Sequence, residues 1–341
     1  MTTARLHLAD ARELPLDDAS VHLVVTSPPY PMIAMWDEVF AGLDPACGLE
    51  RGAEAAFEAM HAVLDQVWQE LHRVLVPGGL ACVNLGDATR TIDKRFQLWP
   101  NRARATLGAG RAGFLSLPGI SWRKPTNAPN KFMGSGMLPA GAYVTYEQEA
   151  ILVLRKGDKR SFAAADKPRR RRSAFFWEER NVWFSDLWSG LTGVPQGLDR
   201  ATRTRSAAFP LELPARLVAM YSCQEDTVLD PFAGTGTTLL AAGMQGRHAV
   251  GVDCDESLVE HVAASLVDAP RAGRAWHSAR LRAHADFVAG RSSPPKHHNT
   301  PHDTPVVTSQ ERSLELLAPG AVVRNGLLDW RFATPAKTLW P

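Results

Sequence analysis

The chain has 341 residues and a formal net charge of +2, and 45% of its residues are hydrophobic against 22% charged. This balance is ordinary for a soluble globular protein, and the length allows one large core plus a smaller module. No apolar run reaches the roughly 18 residues of a membrane-spanning helix, and the N-terminus lacks the apolar core of a secretion signal, so we expect a cytoplasmic protein. Four cysteines stand singly in the sequence, which argues against disulfides and predicts no metal site.

The predicted secondary structure alternates between strands and helices. Strands are predicted at 5–9, 21–26, 80–85, 116–122, 142–155, 226–230 and 248–252. Helices are predicted at 52–75, 100–111, 210–222, 237–245 and 255–267. This alternation predicts an α/β fold with a doubly wound, mostly parallel sheet. The strand that ends near Leu154 follows a long loop, and we expect it to be the antiparallel one.

The segment Thr26-Ser27-Pro28-Pro29-Tyr30 directly follows the apolar strand at 21–26. Two successive prolines fix φ, remove two backbone donors and hold the preceding residues extended. The resulting turn is rigid and its carbonyl groups point outward. It can accept hydrogen bonds from an amino group while the Tyr30 ring lies against a planar heterocycle. In isolation the same segment is also typical of an ordinary loop at the end of a strand.

A second motif, Asp230-Pro231-Phe232-Ala233-Gly234-Thr235-Gly236-Thr237, joins a predicted strand to a predicted helix. The glycines permit positive φ and let the backbone approach a ligand closely, and the helix start favours polar ligands. About twenty residues later the next strand ends in Asp253, a position that suits the hydroxyl groups of a ribose. Because no Lys-Ser/Thr pair follows the glycines, this is not a phosphate-binding P-loop. The motif indicates a nucleoside cofactor.

Together the two motifs resemble the S-adenosylmethionine-dependent DNA methyltransferases that modify exocyclic amines. The catalytic motif precedes the cofactor motif, which resembles the permuted β group of that family, and the resemblance covers residues 5–268. It implies a circularly permuted, seven-stranded class I methyltransferase sheet with an inserted DNA-recognition region. It also implies S-adenosyl-L-methionine as the cofactor and double-stranded DNA as the partner.

The resemblance implies a division of the chain into four parts. Residues 1–155 are the catalytic half of the methyltransferase domain, 156–205 the target-recognition insert and 206–268 the cofactor-binding half. Residues 269–341 are expected to be a linker and a C-terminal extension of unknown role. Within that last part, we expect a flexible linker at Arg291–Pro305 and a small appendage at Leu314–Trp340.

The site residues are carried over by position in the motifs. The implied catalytic residues are Ser27, Pro28, Pro29 and Tyr30. The implied cofactor-binding residues are Asp10, Thr26, Phe209, Pro210, Asp230, Pro231, Phe232, Gly234, Thr235, Gly236, Thr237 and Asp253. For Asp10, a role as a turn residue is an equally good interpretation.

Basic residues supply the predicted DNA contacts, because Lys and Arg neutralise phosphates. Residues 156–205 hold twelve basic and six acidic side chains interleaved with aromatic rings, including the run Arg169, Arg170, Arg171 and Arg172. A solvated charge run beside a small aromatic core is the alternative interpretation. Lys124 and Lys131 lie in a loop at 124–139 that is rich in Gly, Pro and Asn. We expect Trp122, Lys124, Asn127 and Lys131 to face a flipped nucleotide or its phosphates, or the loop to be merely structural.

The expected reaction is direct methyl transfer to an amine whose lone pair is delocalised into a base ring. The Pro28 carbonyl and the Ser27 hydroxyl accept from the amine, in-line placement supplies proximity, and Tyr30 stacks on the extruded base. Serine at position 27 resembles the members that methylate cytosine at N4, and adenine N6 remains the alternative.

Three further classes of function remain open from the residues alone. They are methylation of RNA or of a protein amide, a nicotinamide-dependent oxidoreductase, and a non-catalytic DNA-binding module. The order of the motifs and the basic insert disfavour the first class, and the proline turn disfavours the second. A separately acting restriction endonuclease is a possible partner, and both a monomer and a homodimer are compatible with the family.

Overall fold

The computed structural model describes residues 1–124, 129–191, 209–334 and 336–337. In chain order, its strands are β1 (Thr2–Leu8), β2 (Val21–Thr26), β3 (Leu75–Leu85), β4 (Ala88–Ile92), β5 (Arg95–Trp99), β6 (Phe114–Arg123), β7 (Gln148–Lys156), β8 (Leu187–Trp188), β9 (Thr227–Asp230), β10 (His248–Asp253), β11 (His297–Asn299), β12 (Thr304–Val306), β13 (Leu317–Ala318), β14 (Val322–Arg324), β15 (Asp329–Phe332) and β16 (Ala336–Lys337). Its α-helices are α1 (Asp37–Leu43), α2 (Ala53–Val74), α3 (Asn101–Arg111), α4 (Lys167–Arg172), α5 (Trp177–Trp183), α6 (Glu212–Tyr221), α7 (Thr237–Gly243), α8 (Val259–Val267) and α9 (Ala269–Ala289).

One large sheet organises these elements, with the strand order β14-β15-β1-β10-β9-β2-β3-β7-β6-β8. The neighbours β1, β10, β9, β2 and β3 are parallel, and β7 runs antiparallel to both β3 and β6. The predicted doubly wound, mostly parallel sheet is therefore confirmed, as is the antiparallel strand. Three further strands extend the seven central ones to ten, namely β8, β14 and β15.

Hydrophobic cores cover both faces of this sheet. Successive residues of β2 point to opposite faces, so that Leu23 and Val25 lie in one core and Val24 in the other. Helix α2 packs on the second face through an apolar stripe that includes Met60, Leu64, Leu71 and other residues at helical spacing. Burial on both faces explains why the central strands β2 and β3 are largely apolar, whereas β1 alternates buried and exposed residues.

The parallel arrangement places the ends of five strands along one edge, which we call the carboxyl edge. Because β1, β10, β9, β2 and β3 point the same way, the residues at or just beyond their ends meet there: Asp10, Asp253, Asp230, Thr26 and Gly86. Open α/β sheets bind ligands at this edge. The fold therefore predicts where a site must lie.

The segment between Asp87 and Asn101 forms a hairpin, although the sequence analysis predicted no strand there. Strands β4 and β5 pair antiparallel from Ala88↔Trp99 to Ile92↔Arg95. Asp93 and Lys94 make the connecting turn with positive φ values of 49° and 65°. Such two-residue turns match the twist of the flanking strands.

The C-terminal part is built into the domain. Residues 269–289 form a helix that the sequence did not predict, and β15 pairs antiparallel with β1. The flexible linker expected at Arg291–Pro305 is wrong for residues 297–305, where β11 pairs with β12. The buried Asn299 amide holds this hairpin by donating to the carbonyl oxygens of Glu311 and Leu314. Polar residues therefore order a segment whose composition is typical of a linker.

The described part of the predicted recognition insert packs onto the main sheet. Strand β8 runs parallel to β6, and the Trp122 indole donates to the Leu191 carbonyl at 3.2 Å. Trp183 and Trp188 lie in the hydrophobic core, which supports the aromatic-core interpretation of these residues. Residues 192–205 of the insert lie outside the described ranges. None of the helices within those ranges is long and apolar enough to span a bilayer.

Candidate active site

A hydrogen bond between two side chains joins the predicted motifs. Strands β2 and β9 are neighbours with Val24 opposite Leu229, so both motifs begin at the carboxyl edge. There the Thr26 hydroxyl donates to Oδ1 of Asp230 at 2.6 Å. Both groups are buried. The structure therefore places the turn at residues 27–30, the proline turn, directly beside the turn at residues 231–236, the glycine turn.

Asp230 is a buried carboxyl group with few donors. Its Oδ1 accepts from Thr26 and from the Phe232 backbone N–H at 3.1 Å. Burial outweighs these hydrogen bonds and raises the pKa of Asp230 to about 7. A nearby cation would stabilise the ionised form, so this carboxyl group is suited to a positively charged ligand.

The glycine turn leaves open space beside the backbone at Gly234, whereas Gly236 is buried against Val262. Gly234 and Gly236 have φ values of +52° and +81°, which strain any residue with a side chain. A Cβ atom added at Gly234 would meet only the Phe232 carbonyl, at 3.9 Å. The Gly234 N–H donates to Oδ2 of Asp253 at 2.8 Å. These features fit a cofactor that lies against bare backbone between two acids.

The two acids predicted at the nucleoside end differ in their partners. Burial raises the pKa of Asp253, whose Oδ1 accepts from the Asp255 N–H at 3.0 Å. Asp10 instead forms an ion pair with Arg12 at 2.6 Å, and hydrogen bonds from Arg12 lower the pKa of that carboxyl group. The Arg12 contact gives Asp10 a role within its own turn, and a contact with adenine stays a prediction.

The remaining predicted cofactor residues surround this turn. Pro231 is buried, whereas Phe232, Thr235 and Thr237 are half-buried. Phe209 is buried in the main core, and the Pro210 carbonyl accepts from the Leu213 N–H at the start of α6. Their contacts with a cofactor stay predictions.

Tyr30 stands in a cluster of polar side chains. Its hydroxyl lies 2.9 Å from Ser27 Oγ and donates to Glu149 Oε2 at 2.9 Å. The Asn84 amide donates to both Tyr30 and Glu149, at 2.9 and 2.6 Å. Burial and the charge of Glu149 raise the pKa of Tyr30 far above its ordinary value, so the phenol keeps its proton.

The backbone of the proline turn is held from below by Asn101. Its buried amide donates to the carbonyl oxygens of Pro31 at 2.9 Å and Gly86 at 3.0 Å. Its own oxygen lies 3.0 Å from His61 Nε2, and burial lowers the pKa of His61 to about 4, which keeps that ring neutral. Among the described residues, the Pro28 carbonyl accepts no hydrogen bond. The fixed turn therefore leaves this carbonyl available.

Sequence reasoning missed three residues of this site, namely Asn84, Asn101 and Glu149. Asn84 interrupts the apolar run of β3, and a polar residue at a buried strand position is a visible signal. Glu149 gives no such signal, because it lies at the polar start of β7 and meets Tyr30 only through the antiparallel pairing of β3 and β7.

The lysines predicted to bind DNA lie near the carboxyl edge. Lys124 forms an ion pair with Glu149 at 2.8 Å. Lys131 donates to the Thr89 carbonyl of the β4–β5 hairpin at 2.5 Å. Asn127, which the sequence placed near the flipped nucleotide, lies outside the described residues. DNA contact by the two lysines stays a prediction.

Arg169, one of the predicted DNA-binding residues, has partners within the protein. Its guanidinium donates to Asp226 at 3.1 Å and to the Gln224 carbonyl at 3.0 Å. Asp226 is fully buried just before β9, at the edge of the sheet opposite the carboxyl edge. Arg170, Arg171 and Arg172 share the short helix α4 with Arg169. Arg169 therefore helps to neutralise a buried acid at that edge, and DNA contact by the four arginines stays a prediction.

Comparison with known proteins places these motifs in one family. A family model described as DNA methylase matches residues 21–264, which include both motifs. The Type II methyltransferase M.MthZI of Methanothermobacter thermautotrophicus is 42% identical over 325 residues, covering 93% of this chain and 91% of that protein. M.MjaI of Methanocaldococcus jannaschii is 46% identical over 272 residues, covering 75% and 89% respectively.

A solved structure shares the fold over most of its length. It is described as a candidate DNA modification methylase of Thermus thermophilus in complex with S-adenosyl-L-methionine. Its TM-score with this chain is 0.62 at 34% identity, and the match covers 78% of this chain and 94% of that one. The similarity therefore extends well beyond the two short motifs.

Proposed function

The chain belongs to the DNA methylase family, and we propose that it transfers a methyl group from S-adenosylmethionine to the exocyclic N4 amine of cytosine within a short duplex DNA site. The hydrogen bond between Thr26 and Asp230 carries this proposal. It places a turn suited to an amino group beside a turn suited to a nucleoside cofactor.

The cofactor supplies a methyl group attached to a positively charged sulfur. The residues around the glycine turn fit such a group, because Gly234 offers partly exposed backbone and Asp230 and Asp253 are acids on either side. Asp230 would hold the positively charged methionine end, and Asp253 the ribose. The near-neutral pKa of Asp230 means that a cationic ligand stabilises its ionised form.

The proline turn activates the amine. An exocyclic amine has its lone pair delocalised into the ring, and acceptors for both of its protons favour a pyramidal nitrogen. Pro28 offers a carbonyl without a partner among the described residues, and Ser27 offers a hydroxyl. Fixed acceptors of this kind need no reorganisation during the reaction. Asn101 keeps them in place by binding the adjoining backbone.

The target base must leave the duplex to reach this turn, because its amine is otherwise inside the stack. Tyr30 offers a ring for the extruded base, and its hydroxyl contacts fix the orientation of that ring. Stacking on an aromatic side chain stabilises a base by about 1–3 kcal/mol.

The choice of cytosine N4 depends on Ser27. A serine at this position resembles the family members that methylate cytosine, and its small hydroxyl suits a compact base. A hydroxyl can equally accept from the amine of adenine, so N6-adenine methylation is the alternative outcome of the test.

Double-stranded DNA is the proposed partner, together with a role in a modification system. The relatives at 42% and 46% identity are Type II methyltransferases, which supports this setting. A restriction endonuclease that acts separately on the same site would complete such a system. Digestion of the methylated DNA by a panel of endonucleases would identify the protected site.

The decisive experiment incubates the protein with isotopically labelled S-adenosylmethionine and unmethylated bacterial DNA. We expect label in the DNA, and nucleoside mass analysis to find N4-methylcytosine. Label in N6-methyladenine would establish the alternative base. Absence of label from DNA, with Ser27→Ala and wild-type protein alike, would contradict the proposal. RNA and a protein mixture serve as parallel substrates.

A further inference from the structure

A chain of hydrogen bonds runs from Glu149 through Tyr30 to Ser27, whose hydroxyl group is proposed to face the substrate amine. Tyr30 Oη lies 2.9 Å from Glu149 Oε2 on one side and 2.9 Å from Ser27 Oγ on the other. Glu149 is on β7, and the turn that carries Ser27 and Tyr30 follows β2. The two strands are separated by β3, which contributes Asn84 to the same chain.

Counting the donors and acceptors fixes which atom donates in each hydrogen bond of this series. A carboxylate only accepts, so the single hydrogen of the Tyr30 hydroxyl is donated to Glu149. The Tyr30 oxygen can then only accept, and the Asn84 amide already donates to it at 2.9 Å. The contact at 2.9 Å between Tyr30 and Ser27 therefore uses the hydrogen of Ser27.

The consequence appears at Ser27. A serine hydroxyl has one hydrogen and two lone pairs. Because its hydrogen points towards Tyr30, only lone pairs remain for a group that approaches from the cleft. Ser27 therefore presents an acceptor and nothing else to the substrate.

We propose that Glu149 is a positioning residue that fixes this direction, and that it thereby makes the site select a base with an amino group over one with an oxo group. This inference rests on the proposed function. An amine donates a hydrogen bond to a lone pair of the Ser27 oxygen. A carbonyl oxygen at the same place would form no hydrogen bond with Ser27, because both groups would be acceptors. Leaving a buried acceptor pair unbridged costs about 1–3 kcal/mol.

Two neighbours of Glu149 hold it in this role. The Lys124 ammonium contacts Glu149 Oε1 at 2.8 Å, which leaves Oε2 for Tyr30 and Asn84. The side chain of Glu149 also packs beside Gly86, where an added Cβ would lie 3.3 Å from Glu149 Cγ and 3.1 Å from Tyr30 Cε2. The carboxylate therefore has little freedom to turn away from Tyr30.

The test compares DNA binding of variants rather than activity alone. Two duplexes are used that differ only at the target position, cytosine in one and uracil in the other, or adenine and hypoxanthine if adenine proves to be the target. Binding is measured with S-adenosylhomocysteine present, so that no turnover occurs. The cost of extruding each base is the same for every variant, so a change in the preference between the duplexes reports on the site.

Glu149→Met removes the acceptor at nearly constant volume and frees the Tyr30 hydroxyl to donate to Ser27. We expect the preference for the amino base to fall by about tenfold, the scale of one lost hydrogen bond. Glu149→Gln keeps an oxygen that can accept from Tyr30 and Asn84, and it should restore most of the preference. Glu147→Met removes a carboxylate two residues away whose ion pair is with Arg123, and it should change nothing.

Tyr30→Phe keeps the ring and breaks the chain, so it should also lose the preference, which provides a second route if Glu149→Met fails to fold. An unchanged preference in either folded variant would overturn the inference. A wild-type protein that methylates no DNA would instead overturn the proposed function. The two failures are therefore distinguishable.

Discussion

Thr26 and Asp230 are 204 positions apart in the chain, yet the hydroxyl of one donates to the carboxyl group of the other at 2.6 Å. This bond fixes the end of the strand before the proline turn to the start of the glycine turn. The Thr238 hydroxyl adds a second tie by donating to the Val25 carbonyl at 3.2 Å. The relative position of the two turns is therefore set by groups that are themselves buried.

Thr26→Val tests the importance of this tie. The substitution keeps the shape of the side chain and removes the donor to Asp230, so we expect a loss of about 1–3 kcal/mol in the free energy of unfolding. Affinity for S-adenosylmethionine should fall with it, because Asp230 loses its closest partner. Urea unfolding and equilibrium dialysis measure the two effects. Thr106→Val, on the exposed surface of α3, is the control.

The raised pKa of Asp230 predicts a pH-dependent stability. The folded protein holds this proton up to about pH 7, whereas the unfolded chain releases it near the ordinary aspartate pKa of 3.8. Between these values the folded state binds more protons, so the group lowers the free energy of unfolding as pH rises from about 4 to about 7. At pH values above about 7, the free energy of unfolding is lower by up to about 4 kcal/mol because of this group.

Asp230→Asn removes this cost. The free energy of unfolding of the variant minus that of wild type, measured with urea, should be larger at about pH 8 than at about pH 5. Asp158→Asn, on the exposed turn after β7, controls for the loss of one surface charge. A constant difference between Asp230→Asn and wild type across this range would contradict the assignment. In wild type, affinity for the cationic cofactor should rise over the same window.

Asn101→Ala removes the amide that holds the Pro31 and Gly86 carbonyls. Because two buried acceptors lose their donor, we expect a loss of roughly 2–4 kcal/mol in stability. Turnover should fall more than cofactor affinity, since the proline turn is released while the glycine turn is untouched. Methylation kinetics and cofactor binding separate the two effects. Asn181→Ala, at an exposed position of α5, should behave like wild type.

Tyr30→Ala removes the ring proposed to stack on the extruded base. We expect the rate of methylation to fall about ten- to a hundredfold, in line with about 1–3 kcal/mol for stacking. Affinity for S-adenosylmethionine should stay close to wild type. Single-turnover kinetics on a short duplex measure the first quantity. A wild-type methylation rate in this variant would contradict the proposed stacking of Tyr30 on the base.

The position of α4 predicts the effect of its arginines. Arg169→Ala leaves the buried Asp226 with one fewer cation and should lower the free energy of unfolding. The double variant Arg171→Ser/Arg172→Ser should keep the salt dependence of DNA binding, because this helix lies opposite the carboxyl edge. A reduced slope of affinity against salt would instead support DNA contact by these arginines. Lys124→Ser gives the comparison at the carboxyl edge.

The sequence predicted the parts of the site that follow a strand. Thr26 and Asp230 end apolar runs, and parallel neighbouring strands bring such ends to one edge, so their proximity could be inferred. Asn101 and Glu149 could not be found this way. Their partners lie 70 and 119 positions away, and each contact depends on how an intervening helix or antiparallel strand packs.

The C-terminal region shows a different limit of sequence reasoning. Its strands are short, and its long helix has a proline as second residue and carries four arginines. This helix therefore lacks the apolar stripe that marks a core helix. Order there comes from individual buried polar contacts together with a small apolar cluster that includes Leu281, Val306 and Leu314. The Arg280–Glu179 ion pair at 2.6 Å and the Asn299 amide are examples. Such pairs become visible only when the fold has placed them.

The pairing of β15 with β1 has a consequence for how this protein behaves in a crowded solution. Without β15, β1 would be an exposed edge strand of the sheet, a margin whose unpaired backbone groups can pair with strands of other molecules. Thr2 to Arg5 instead pair with Asp329 to Phe332, and short β14 lies outermost. Truncation before Ala321 would uncover that margin, and the first property lost would be freedom from aggregation, ahead of any change at the distant carboxyl edge.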